Sequence, residues 1–338
     1  MTGRAVAIDA PRMNLRELAR ISVSGRIAPP LTKGSAYRIG QDGGLRVLPG
    51  SGGITYSHRI GDRCVGLAAD HLEPGVSIRN TEKSSGSVRD AANRALNALA
   101  CVGNVAMVTA GPAAGAKGIV TGKHGGVANV LIDFPLAQMR RMRLGDPVQV
   151  AAIGQGLRLL DFPDVAVMNA APDLIVRLGV RVDGGRLSIP VTHLVPAALM
   201  GSGLGKSSAA RGDYDIQLFD RRVVAHYGLD RLRFGDFVAI TDADGRYGRS
   251  FSGGHLTVGV VVHSDSTVAG HGPGVTTILS GPASRLKPRL DRTANLARLY
   301  GVRRLAAAKP QRTFVEKTSH LAPRITADVE KLPRIARR

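Results

Sequence analysis

The stretch Gly115-Ala116-Lys117-Gly118-Ile119-Val120-Thr121-Gly122, followed by Val130-Leu131-Ile132-Asp133, decides how this chain is read. Aliphatic and β-branched residues set between glycines make a strand, a tight turn and a second strand, the punctuation of a small SH3-like barrel. Downstream, Arg143-Leu144-Gly145-Asp146-Pro147-Val148-Gln149-Val150 is echoed by Arg233-Phe234-Gly235-Asp236-Phe237-Val238-Ala239-Ile240. In both, a Gly-Asp turn launches an alternating strand, so we read a recurring barrel turn. Upstream, short apolar runs alternate with turn signals such as Pro49-Gly50-Ser51-Gly52-Gly53. Ser87-Val88-Arg89-Asp90 places a hydroxyl cap three residues before an acid. It predicts a helix over about 87–101, stopped by Gly103.

The expectation is an α+β, β-rich chain of two domains built on small barrel-like or sandwiched sheets, with a few short helices and a basic C-terminal tail. The first domain would span 1–165, including the SH3-like segment at about 115–153; the second would span 166–283; the tail, partly helical or disordered, would span 284–338. With 338 residues, two cores are the natural prior. The 42 glycines and the 4% aromatic content agree with strands joined by tight turns rather than long helices.

The net charge of +20 is unevenly spread. Residues 284–338 hold 15 Lys/Arg against 4 Asp/Glu, a net of +11, leaving +9 for the other 283 residues. Basicity is therefore chiefly a property of the tail, which is expected to meet a nucleic acid or a protein partner. Cys64 and Cys101 form neither a disulfide framework nor a metal-ligand spacing. The first residues lack a signal-peptide core and no apolar window is long enough for a membrane span, so a cytoplasmic location without membrane attachment is expected. A homo-oligomer is left open.

Met200-Gly201-Ser202-Gly203-Leu204-Gly205-Lys206-Ser207 resembles a phosphate loop, but Met200 stands where that loop needs its first glycine. An anion-binding or flexible loop remains. In Gly212-Asp213-Tyr214-Asp215-Ile216-Gln217, strand alternation puts Asp213, Asp215 and Gln217 on one face and Tyr214 and Ile216 on the other. Three acceptors in line can bind a hard cation; a solvated outer face would look the same. Asp242 and Asp244 alternate where a strand meets a turn, with Arg249 nearby as an ion-pair partner. Val258-Gly259-Val260-Val261-Val262-His263-Ser264-Asp265 is apolar on both faces, as a fully buried strand is, and ends in polar groups close to His271. His255 precedes that strand, and His193 follows an alternating pattern. Lys123 and His124 sit on a glycine-rich turn that suits an anionic substrate.

Several strings together resemble one family. They are Val47 to Tyr56, Asp70-His71-Leu72-Glu73-Pro74-Gly75, Gly118 to Gly126, Gly212 to Gln217, Val261 to Asp265 and Gly270 to Val275. In this order they are similar to the bacterial and archaeal proteins grouped as domain of unknown function 4438. The resemblance covers roughly residues 20–282 and implies a β-rich, two-part fold; it implies no activity.

From the residues alone, the expected function is a metal-assisted hydrolase acting on a small amide or cyclic amide. Asp213, Asp215, His263 and His271 would bind a divalent ion, zinc or manganese. Asp242 or Asp265 would handle protons, and Lys123, His124 and Arg249 would hold the small-molecule substrate. The alternatives are a nucleic-acid-associated protein using the tail, or a non-catalytic scaffold.

Overall fold

In the computed structural model, which describes residues 10–32, 37–82 and 90–302, six strands close into a barrel. They are β1 (Ile21–Ile27), β2 (Gly75–Arg79), β3 (Val105–Val108), β4 (Lys117–His124), β5 (Asn129–Asp133) and β6 (Pro147–Ala152). The order runs β1-β6-β3-β4-β5-β2 and returns to β1, every pairing antiparallel. Closure leaves these six strands no free edge. Strand β6 shows why the sequence curls this way: Val148, Val150 and Ala152 are buried while Gln149 and Ala151 are exposed. The segment 115–153 thus supplies three strands of a larger barrel, whose core is filled by Ile27, Val76, Ile78, Val120, Val130, Ile132 and Val150. Helix α1 (Ala91–Leu99) packs Leu96 into the same core. The capping residues Ser87 to Arg89 lie outside the described residues. Asp90 itself, at φ 58°, makes no side-chain cap bond.

The second body is a sheet of β7 (Ala166–Val167), β8 (His193–Pro196), β9 (Tyr214–Asp215), β10 (Phe237–Asp244), β11 (Ser250–Val261) and β12 (Gly274–Pro282). Its order is β7-β12-β11-β10-β8, with β9 paired to β12; only β8 and β10 run parallel. Both faces are covered. Phe237 and Ala239 face one core while Val238 and Ile240 face another, which explains strands that read as continuous apolar runs. The two echoing turns share a backbone geometry. Gly145 and Gly235 take φ 87° and 81°, and Asp146 and Asp236 each accept a hydrogen bond from the backbone N–H three residues earlier, at 2.9 Å.

Residues 284–302 correct the expected start of the tail. Leu286–Leu290 pairs in parallel with Arg186–Val191, which pairs with Arg181–Asp183, and the helix Leu296–Leu299 follows. Leu286, Leu296 and Ala297 are fully buried, while Arg285 and Lys287 pair outward with Asp164 and Asp183. The shift to a Lys- and Arg-rich composition set the earlier boundary, and it hid an apolar face spaced between long cationic side chains. Among the described residues, the helical part of the expected tail is the single turn Leu296–Leu299. The described residues all belong to one compact unit, Met1–Leu305; the remainder of the predicted tail lies outside them. Among the described residues no helix is long and apolar enough to cross a membrane.

Candidate functional site

The barrel and the second sheet meet at the end of β4. Gly122, beside a bulge in the β4–β5 pairing, has no Cβ to collide with Val262, so the barrel wall lies directly against the segment leaving β11. His124 ends β4, and His71 sits in the loop before β2. His263 follows β11, His271 precedes β12, and Asp213 and Asp215 flank Tyr214 on β9. All six side chains converge.

They form two triads, His71–Asp215–His271 and His124–Asp213–His263, within each of which the ligand-capable atoms lie within 4.8 Å of one another. His263 Nε2 is 2.7 Å from Asp213 Oδ2 and 3.6 Å from Asp215 Oδ1. Asp215 Oδ2 is 3.0 Å from His271 Nδ1 and 3.5 Å from His71 Nε2, so this carboxylate reaches both triads. Donors around a tetrahedral ion with bonds near ~2.1 Å are separated by roughly 3.4 Å, the scale seen here.

The outer nitrogens fix the inner ones. His71 Nδ1 is 3.0 Å from Asp70 Oδ1, His124 Nδ1 is 2.5 Å from Glu73 Oε1, and His263 Nδ1 is 2.9 Å from the Ser264 carbonyl. Each acceptor holds the Nδ1 side outward and turns Nε2 toward the centre, the orientation of imidazoles that ligate metals. His263 Nε2 and Asp213 Oδ2, both buried, have no hydrogen-bond partner. Gly125 N–H donates to Asp213 Oδ1 at 2.7 Å, and a Cβ on Gly274 would strike both Asp213 Oδ2 and His263 Nε2. Residue 274 must be glycine for the cluster to keep this geometry. His71 holds a left-handed backbone, φ 55°, uncommon for a residue with a side chain.

The electrostatics couple the buried carboxylates to the imidazoles around them. Burial pushes the Asp215 carboxyl up, yet the imidazoles of His263, His271 and His71 around it outweigh that and hold it well below the usual range. Burial alone would lower His263, but Asp213 and Asp215 raise it well above an ordinary imidazole. Behind the rings, Glu73 is fully buried and also accepts from Gly52 N–H, Ser77 Oγ and Asn129 Nδ2. Arg38 pairs with Asp70 at 3.0 Å.

Asp213, Asp215, His263 and His271, the expected ligands, therefore meet. His124, expected to hold substrate, lines the cavity but has its ring committed to the second triad. Arg249 lines the same cavity. Three expectations are corrected. Asp242 is exposed and accepts the Gly254 N–H at a bulge in the β10–β11 pairing. The Asp265 carboxylate turns to Gly66 N–H, 2.7 Å away, and only its carbonyl touches the site by accepting from His71 N–H. Lys123 points the opposite way from His124 along β4. Its ammonium is buried against Asn169 Oδ1 and the Ala210 and Ala98 carbonyls, and burial lowers it to about 8. Asp244 finds Arg246 rather than Arg249 as its partner, at 2.9 Å, and His255 lies beside that pair. Gln217 bonds Met200 O and leaves the line of Asp213 and Asp215. His71, Asp70 and Glu73 were missed as site residues; Asp70-His71-Leu72-Glu73 carried the only signal, an imidazole flanked by acids.

No curated protein matches this sequence. The crystal structure of TM1086 is similar, with a TM-score of 0.80 and 43% identity over 86% of this chain and 99% of that one. Residues 37–176 match the N-terminal part, and residues 177–300 the C-terminal part, of a family described as a domain of unknown function. With both parts matched in order over most of its length, the chain belongs to the family domain of unknown function 4438.

Proposed function

We propose that the chain is a metal-assisted hydrolase acting on a small amide or cyclic amide at the His/Asp cluster between barrel and sheet. One observation carries the reading: three buried imidazoles have their outer nitrogen tied to an acceptor and their inner nitrogen turned toward two buried aspartates. In this reading each triad holds a divalent ion, zinc or manganese, with Asp215 reaching both. Such an ion polarises a carbonyl and lowers the pKa of water at neutral pH. Asp70 and Glu73 orient the inner nitrogens of His71 and His124 toward the ion, and Arg249 holds a substrate oxygen. Water as nucleophile also accords with the cysteines: Cys64 and Cys101 are buried, and burial raises both thiols.

The test is elemental analysis of protein purified without added metal or chelator, beside His263→Ala. The expected result is near-stoichiometric zinc, manganese or iron in the wild type and a loss of most of it in the variant. Folded wild-type protein that is metal-free and takes up neither zinc nor manganese on dialysis would overturn the reading. A screen of small amides and cyclic amides on the loaded protein then tests the reaction class.

A further inference from the structure

We infer that the substrate of this centre carries an oxyanion, a phosphate or carboxylate group, which Arg249 and a rim of unpaired cations hold beside the cluster. The inference rests on the hydrolase reading for what happens next to that group, but not for the binding itself.

Arg249 is 3% exposed, yet no carboxylate among the described residues pairs with it. Its guanidinium gives one bond, from Nη2 to the Arg211 carbonyl at 2.8 Å, and leaves Nε without a partner. The Tyr214 ring lies 5.3 Å away on one side and the cavity on the other. Asp213 and Asp215 offset part of the cost of burying this guanidinium but form no ion pair with it, and a planar fork with unused donors fits an oxyanion in two-pronged fashion.

The cavity wall repeats the pattern. It encloses about 560 Å³, the size of a small-molecule site, and also carries Arg79, Arg94, Lys206 and Arg211. None of these four makes an ion pair among the described residues. The carboxylates on the wall are Asp213 and Asp215, already committed to the imidazoles, and Asp90. With six Lys/Arg against three Asp on its wall the cleft is net positive, and a net charge of one sign concentrates the opposite ion. The Gly/Ser loop that failed as a nucleotide loop contributes Ser202, Ser207 and Ser208 to the same wall. Gly212, at φ 67°, packs against the Gly125 backbone with no side chain between, so the cationic wall directly adjoins His124 and Asp213.

The experiment is calorimetric titration of the full, chelator-stripped chain with inorganic phosphate and, separately, with succinate at low ionic strength. One saturable site per chain is expected, weakened at least tenfold by Arg249→Gln and severalfold by the surface double variant Arg94→Gln/Arg211→Gln. Arg140→Gln, exposed and outside the cavity, should bind as the wild type does. Stripped His263→Ala should also retain binding, which keeps the anion site distinct from the metal reading: that reading fails on metal content, this inference on anion binding. Preference for phosphate or for succinate identifies which oxyanion the substrate bears; equal binding supports their shared chemistry. No saturable binding of either probe to folded wild-type protein overturns the inference. So does binding that His263→Ala abolishes and both arginine variants leave intact.

Discussion

Replacing Glu73 by glutamine tests the cluster through a residue that touches no ligand position. Its charge is fully buried and fully used: Oε1 faces His124 Nδ1 at 2.5 Å, and Oε2 accepts from Gly52 N–H at 2.7 Å, from Ser77 Oγ and from Asn129 Nδ2 at 2.9 Å. Burial pushes this carboxyl up, but the bond from His124 and those from Ser77 and Asn129 outweigh it, so it is ionised near neutral pH. Glutamine keeps the shape and turns one acceptor into a donor. With the amide nitrogen on the Gly52 side, two N–H groups oppose each other, which costs about 1–3 kcal/mol for a buried unsatisfied donor. With it on the His124 side, the imidazole can accept at Nδ1, but its proton then moves to Nε2, the atom aimed at the centre. The metal-free variant is free to choose the second arrangement and lose little stability. Metal binding must reverse that choice, so affinity falls by the same ~1–3 kcal/mol, roughly 5- to 150-fold, in line with outer-shell substitutions generally. Zinc affinity by chelator competition, with urea unfolding of the stripped proteins alongside, reads both quantities. Unchanged zinc affinity in a folded Glu73→Gln protein would refute the tautomer argument.

Three further outcomes are expected. Gly274→Ala should keep the fold and lose bound metal, because the new methyl group occupies the space between Asp213 Oδ2 and His263 Nε2; circular dichroism with elemental analysis checks it, and full metal content would contradict it. His193 is held down at about 4, by burial first and by Arg233 and Arg292 after it. The native state therefore binds the proton more weakly than the unfolded chain does, so the contribution is intact above about 6.5 and is lost as pH falls toward 4. Urea unfolding of His193→Gln should accordingly show a shallower loss of stability over that window than the wild type, and parallel curves would count against it. Finally, a chain ending at residue 302 should fold, whereas one ending at 283 should unfold or aggregate, since it strips a parallel strand and the buried Leu286 and Leu296; equal melting temperatures for the two would contradict this.

The β4–β5 part of the barrel was legible because it is local: two strands that are neighbours in sequence are joined by the short glycine turn after His124. Closure by β1 against β2 and β6 was not, because that pairing joins segments far apart in sequence. At the site, Asp213, Asp215, His263 and His271 were found because strand alternation and the emergence of a buried strand are readable patterns. Asp242 and Asp265 share those patterns, and only three-dimensional placement shows one facing solvent and the other facing Gly66. His71 lies in a loop without periodicity, and the swap between Lys123 and His124 turns on which face of β4 meets the second sheet. The basic tail misled at its start because the burial of Leu286 depends on a partner strand about a hundred residues earlier.

The division of the cluster between the two matched parts has a thermodynamic consequence. Each triad takes one imidazole from residues 37–176 and a carboxylate and an imidazole from residues 177–300, so each is complete only where the two parts meet. An ion that binds only the docked state acts as a clasp by mass action, adding about 2.7 kcal/mol at one hundred times its dissociation constant. Free metal concentration would then set how often barrel and sheet part company. Metal scarcity would be felt first as protease sensitivity at the seam around Gly122 and Val262, before any change in the interior of either half.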